Sequence, residues 1–453
     1  MLRGRTAKLV AALAALALLG SACSSRDDDD AATDGGETAD AGESTIDTAD
    51  CVTDPTTEVE GDSIKIVSSF PQSGLTAAFS EIARGWKAYF DKVNAEGGVD
   101  FGGKTVTIEY DDRDDEYNAA KTVTNIDEMV GPEGDDAFAV FSVVGTANNI
   151  AIRDSLDELC VPNVFAATGS PAWGNPDFPW LIGSSLAPYT LEGYMFAQVL
   201  EQENPSAKVA MLVQDDDFGA AYEEGFKRAI EDTDIEVVKV EKYTTGASEV
   251  GAQITSLAAS GADAFFDGGT LLACPDALTQ AAQNDWKPIT WVSSTCLSDT
   301  LMGLAGAAAD GVWGAANLKD PLNPDWDEDP AMVEYLDTVK QYQPDGFRET
   351  NAIVGYGYTQ AALFVAALEA SEAPTRLAFM ESVHNLDVGE AGLLLPDVSA
   401  ITGPDDAYMG ESLMLAQYEF TAEGARNHFV PTGDLVDFEG QTAELSPEDL
   451  ITG

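Results

Sequence analysis

Two short loops carry the residues best suited to holding a small ligand. Gly145-Thr-Ala-Asn-Asn149 follows the apolar run Phe138–Val144, and Thr168-Gly-Ser170 follows a second run, Asn163–Ala167. Small side chains leave the backbone N–H groups of both loops open, and Thr146, Thr168 and Ser170 add hydroxyls. A helix N-terminus beside such a loop adds a field that favours an anion. This chemistry holds a carboxylate or carbonyl without reacting with it. The same residues also make a plain stack of tight βα turns with Thr146 as a helix N-cap, and the residues alone leave that reading open.

Motifs that would signal catalysis fail on inspection. Gly98-Val-Asp-Phe-Gly-Gly-Lys-Thr105 has the glycines, lysine and threonine of a nucleotide loop. It follows a helical pattern and precedes a strand, the reverse of what phosphate cradling needs, and Asp100 would repel phosphate. Asp325, Asp327 and Asp329 alternate as in a calcium loop, but Pro330 replaces the turn glycine and the closing Glu is missing. There is no Gly-x-Ser-x-Gly elbow, and His384 and His428 sit in no recognisable triad. The chain therefore reads as a binder and not an enzyme, with no cofactor and no metal.

The elements that position the loops repeat a strand–helix rhythm. Ile64–Ser69 is a strand leading into Phe70-Pro-Gln-Ser-Gly74. A helix follows with Ile82, Trp86, Tyr89, Phe90 and Val93 on one face, and Thr105–Tyr110 is the next strand. Ile150, Ile152, Leu156 and Leu159 recur at helical spacing between the two ligand loops, which makes a βαβ unit with its loops on one sheet edge. Ligands of open α/β sheets sit at that edge. Past Pro188 the rhythm restarts: helix 190–202, strand Lys208–Val213, helix Tyr222–Ile230, strand Glu236–Lys242, helix Gly251–Ala259, strand Ala264–Gly269, helix Asp276–Gln283 and strand Ile289–Val292. Helices 331–342 and 352–370 come without strands for a third sheet, so the late strand Ser412–Phe420 must join an existing one.

At the N-terminus, Arg3, Arg5 and Lys8 precede an Ala/Leu run and then Gly20-Ser-Ala-Cys23. That is a secretory signal over 1–22, too short to remain as a spanning helix. The small residues before Cys23 resemble a bacterial lipobox, with Gly20 where leucine is usual, so Cys23 is expected to carry lipid. Residues 23–60 read as a disordered acidic tether. No later run is apolar enough to span a membrane. The formal net charge of −56 repels nucleic acid and anionic lipid and suggests a salty habitat. With Cys23 lipidated, four cysteines remain in an oxidising compartment. Cys51 and Cys160 each precede a strand of the first half, and Cys274 and Cys296 each follow one of the second. Two bridges, Cys51–Cys160 and Cys274–Cys296, follow from that placement. A metal site is the rival, without a Cys-x-x-Cys pair to support it.

Taken together, Pro71-Gln-Ser-Gly74, Asn94-Ala-Glu-Gly-Gly98, Tyr110-Asp-Asp112, Ala166-Ala-Thr-Gly169, Asp215-Asp-Asp-Phe-Gly219 and Tyr243-Thr-Thr-Gly246 resemble the Leu/Ile/Val-type periplasmic binding proteins of ABC importers, over roughly residues 62–424. The resemblance implies two Rossmann-like parallel-sheet lobes joined by three crossings, the type I periplasmic binding protein fold. Lobe 1 would be 61–188 plus 317–413, and lobe 2 would be 189–316 plus 414–453. It implies a monomeric solute carrier outside the cytoplasm, held to the membrane's outer face by lipid and served by an ABC permease and ATPase. A ligand-sensing ectodomain acting through a membrane partner is the alternative, which the tether and the lack of a spanning helix argue against.

The resemblance also places the site. The carboxylate-binding hydroxyl falls on Thr146, with Ala147 and Asn148 beside it, and the backbone groups for the ligand's head on Ala167 and Thr168. Gly169 stands where relatives place a second hydroxyl. Phe79 and Phe218 stand near family tyrosines without the phenol, and Trp173 is equally a candidate pocket floor and a core residue. Thr270 and Thr295 complete the set, Thr295 replacing the carboxylate that pairs an amino acid's ammonium. Asp299 is the only acid nearby in sequence. The resemblance admits a branched-chain amino acid-like solute, a carboxylate, an amide or an aromatic acid. A buried ammonium needs a charged partner, so an acid or amide with an apolar body is expected ahead of an α-amino acid.

Overall fold

The computed structural model describes residues 46–131, 137–349 and 351–452. The signal, Cys23 and the first part of the tether lie outside the described residues. The first sheet is ordered Val99–Phe101, Lys104–Asp114, Ser63–Phe70, Ala139–Phe141, Asn163–Ala166 and Leu181–Gly183. All its neighbours pair parallel except Val99–Phe101, which is antiparallel to Lys104–Asp114. Gly102-Gly103 is the turn of that hairpin, which accounts for the glycines of the apparent nucleotide loop.

The second sheet is ordered His428–Asp437, Ser412–Glu419, Trp313–Ala316, Ile289–Val292, Ala264–Gly268, Lys208–Gln214 and Glu236–Tyr243. Its first two strands are antiparallel additions. Ser412–Glu419 thus joins an existing sheet, as its isolation requires. His428–Asp437, Leu181–Gly183 and the helix Arg376–Val383 have no counterpart in the sequence reading. The helix expected from Tyr222 starts at Asp217, because Asp216 caps it by accepting from Gly219 N at 3.2 Å.

Helices Pro330–Tyr342 and Ala352–Ala370 cover the first sheet together with Ser80–Ala95. Two glycines let the backbones of Ser80–Ala95 and Ala352–Ala370 meet. A Cβ on Gly85 would stand 2.0 Å from the Val354 carbonyl, and one on Gly357 would stand 1.9 Å from that of Ile82. Beneath them Phe90, Phe141 and Phe364 pack with ring centroids 5.2–5.7 Å apart. The second sheet has its own aromatic core around Phe196, Phe266 and Trp291.

The expected disordered tether over 23–60 does not extend through its last fifteen residues. Residues 46–60 are not a free tether. Val52 N donates to Glu158 O (2.9 Å), Val59 N to Pro374 O (2.8 Å), and Leu377 N to Pro55 O (3.0 Å). Cys51 is bridged to Cys160, and Ile46 is buried. The staple and three backbone bonds fix a segment whose acidic composition hides its role. The second bridge, Cys274–Cys296, also forms.

Candidate ligand-binding cleft

The C-terminal edges of both parallel sheets open on one cavity of about 150 Å³. Space of that size takes a molecule near benzene in bulk. Its walls are the loops that leave the strands: Val144–Gly145 and Ala167–Thr168 on one side, Phe218, Thr270 and Ser294–Thr295 on the other. Asn317–Asp320, on the segment leaving the second sheet, lines it as well.

Of the residues singled out in sequence, Phe79, Ala167, Thr168, Phe218, Thr270 and Thr295 meet at this cavity. Thr146 stands directly behind it, its Oγ1 2.6 Å from Thr168 Oγ1. Tyr189 donates to the same Thr168 oxygen at 3.2 Å. The Thr146–Thr168 bond can run in either direction; when Thr146 donates, the Thr168 hydrogen is left for a ligand oxygen at the cavity. Ala147, Asn148, Gly169 and Trp173 do not line the cavity. Asn148 donates to Val144 O (3.0 Å) and Asp115 (3.5 Å), holding the loop instead. Trp173 lies beneath, its indole N–H donating to Thr168 O at 2.8 Å. Gly169 accepts from Tyr189 N at 2.7 Å. A Cβ there would stand 2.2 Å from the Ala187 carbonyl, so a second hydroxyl has no room.

Sequence reasoning missed four residues. Tyr117 reaches over Gly145 and stacks on Phe79 at 6.2 Å, and Tyr189 meets Phe218 edge-on at 5.0 Å. Both tyrosines line the cavity, so phenols absent at Phe79 and Phe218 are supplied from other elements. Burial raises the Tyr117 phenol well above its usual range, with Asp216 adding to the effect. Buried Asp115 sets the Tyr117 turn by accepting from Tyr117 N (2.8 Å), Thr122 (2.9 Å) and Ser69 (3.0 Å). The signal was available: Asp115 and Tyr117 follow a strand at the same edge as Thr146.

The other two are acids. Glu192 is fully buried under the second wall and accepts from Tyr222 (2.7 Å), Ser294 N (3.0 Å) and Trp291 (3.2 Å). Burial pushes its carboxyl up to about 7, against the pull of those donors. Asp320 lines the cavity and accepts from Leu322 N (2.9 Å) and Phe429 N (3.4 Å), and burial raises it too. Thr295 bonds to Ser293 (2.8 Å) and Gly269 O (3.2 Å), and Asp299 turns away to the Tyr418 hydroxyl. Among the described residues, Asp406, Glu411 and Glu439 cluster apart from the cavity, with Glu411 already accepting from Gly440 N and Thr442 N.

Two lobes of parallel sheet closing on a cavity of aromatic walls and hydroxyl ends define a solute-binding architecture. The chain belongs to the periplasmic binding protein family, whose model it matches over residues 63–424, a family of solute binders and not of enzymes. Solved structures agree. A substrate-binding periplasmic protein from Ralstonia solanacearum is 22% identical, with 81% of this chain and 100% of that one covered and a TM-score of 0.68. A branched chain amino acid ABC transporter from Thermus thermophilus with bound valine is 16% identical over 85% and 99%, with a TM-score of 0.70. An ABC transporter solute binding protein from R. palustris in complex with 4-hydroxybenzoate is 19% identical over 83% and 97%, with a TM-score of 0.68. At such identities these likenesses speak for the fold. Among the described residues no helix is long and apolar enough to cross a membrane.

Proposed function

We propose that this chain is an extracytoplasmic solute carrier, lipid-anchored through Cys23 and monomeric, that delivers a small organic acid or amide to an ABC permease and its ATPase. Lobes 61–188 plus 317–413 and 189–316 plus 414–453 close over the solute, and the closed form marks the loaded carrier for the permease. The observation that carries this reading is the Thr146–Thr168–Tyr189 hydroxyl chain at one end of a cavity walled mainly by aromatic and aliphatic side chains. 4-Hydroxybenzoate in the R. palustris structure is a small carboxylate without an ammonium, which supports the class; valine in the Thermus structure shares only the carboxylate.

A thermal-shift screen of amino acids, aromatic acids, short fatty acids and amides tests it. A ligand present at a hundred times its Kd stabilises by about 2.7 kcal/mol, a shift of several degrees. No shift from any class, or turnover of one of them, would overturn the reading.

A further inference from the structure

Two hydroxyls in the second wall of the cleft have no partner. Thr270 Oγ1 and Ser298 Oγ belong to residues only 6% and 2% exposed, both residues line the cavity, and neither oxygen makes a hydrogen bond. Their neighbours differ. Ser293 and Thr295 direct their hydroxyls to the Gly269 carbonyl, at 2.6 and 3.2 Å. Leaving a buried hydroxyl unpaired is unfavourable, and these two sit on residues that line one wall of the ligand cavity. The Cys274–Cys296 bridge joins the helical turns that adjoin them in sequence.

Charge around this wall is already committed. Asp299, next to Ser298, bonds to the Tyr418 hydroxyl. Lys319, the cation in the lining, is held by both oxygens of Asp329 at 2.9 Å. A second carboxylate at this wall would be buried without a free countercharge. A hydroxyl donates once and accepts twice, which matches a neutral group able to do both.

We propose that Thr270 and Ser298 form a subsite for a neutral hydrogen-bonding group, a hydroxyl or an amide, carried by the ligand away from its carboxylate. The inference rests on reading the cleft as a solute site and adds that the solute is bifunctional: one acid end, one neutral polar end, and an apolar body between.

Calorimetry with two matched pairs, benzoate against 4-hydroxybenzoate and valerate against 5-hydroxyvalerate, tests the subsite on the intact protein. In wild type the hydroxylated member of at least one pair should bind about tenfold more tightly or better. In Thr270→Val/Ser298→Ala that ratio should fall toward one. Each single variant should lower it in part, which keeps the test open if the double variant does not fold. Equal binding within both pairs, or a preference that survives in the variants, overturns the subsite while leaving the solute carrier standing. Binding confined to screen members that have no hydroxyl or amide overturns it as well. If no acid or amide of any kind binds wild type, the reading of the cleft itself has failed and this inference falls with it.

Discussion

Thr146 and Thr168, from two different loops, stand with their hydroxyl oxygens 2.6 Å apart, so the first acts on a ligand through the second. Thr146→Val keeps the shape and removes one member of the hydroxyl chain. Thr168 then loses the hydroxyl that donates to it and orients its own hydrogen toward the ligand, and affinity for a carboxylate should fall by about 1–3 kcal/mol with the fold intact. An unchanged dissociation constant would reduce Thr146 to the start of its helix.

The two disulfides should have separable effects. Cys51–Cys160 closes a loop of sequence separation 109 and anchors residues 46–60, none of which lines the cavity. Cys274–Cys296 spans only 22 but braces the ligand wall. Chain-entropy reasoning gives about 4–5 kcal/mol for the first and about 3 kcal/mol for the second. Cys51→Ser/Cys160→Ser should lower Tm more and leave ligand affinity nearly unchanged. Cys274→Ser/Cys296→Ser should lower Tm less and weaken binding. Denaturation and calorimetry on both pairs decide the matter, and equal effects on affinity would contradict the assignment.

Glu192 predicts a pH dependence. Its folded value, raised to about 7, exceeds its ordinary 4.5, so its contribution to stability is whole below about pH 4.5 and is lost as pH rises through 7. The loss is roughly 3 kcal/mol at most. Glu192→Gln keeps the shape of the protonated acid without titrating. Urea unfolding at pH 5 and pH 8.5 should show the variant gaining on wild type at the higher pH. Parallel pH curves would mean that Glu192 folds into an environment no different from water.

What the sequence made legible was local. Strand–helix alternation, the hydroxyl loops and the four bridging cysteines are each written in a short stretch, and the structure places them as that rhythm requires. Tyr117 and Tyr189 were not legible as a pair, because sheet order brings them together across the cleft from turns over seventy residues apart. Asp320 was hidden for a similar reason: it looks like part of an acidic loop until Phe429, from a late antiparallel strand, packs against it. The segment 46–60 was misread because its composition is that of a solvated tail, while a disulfide and backbone bonds do the ordering.

The ligand class is tested most directly by calorimetry of leucine against 4-methylvaleric acid, its deaminated analogue. Thr295 offers no charge, Asp299 is bonded to Tyr418 away from the cavity, and Asp320 already accepts two backbone N–H groups. An ammonium in this cleft would therefore lose its hydration without a dedicated partner. 4-Methylvaleric acid should bind more tightly than leucine. Much tighter binding of leucine would contradict this and would point to the Asp320 carboxylate as the ammonium's partner.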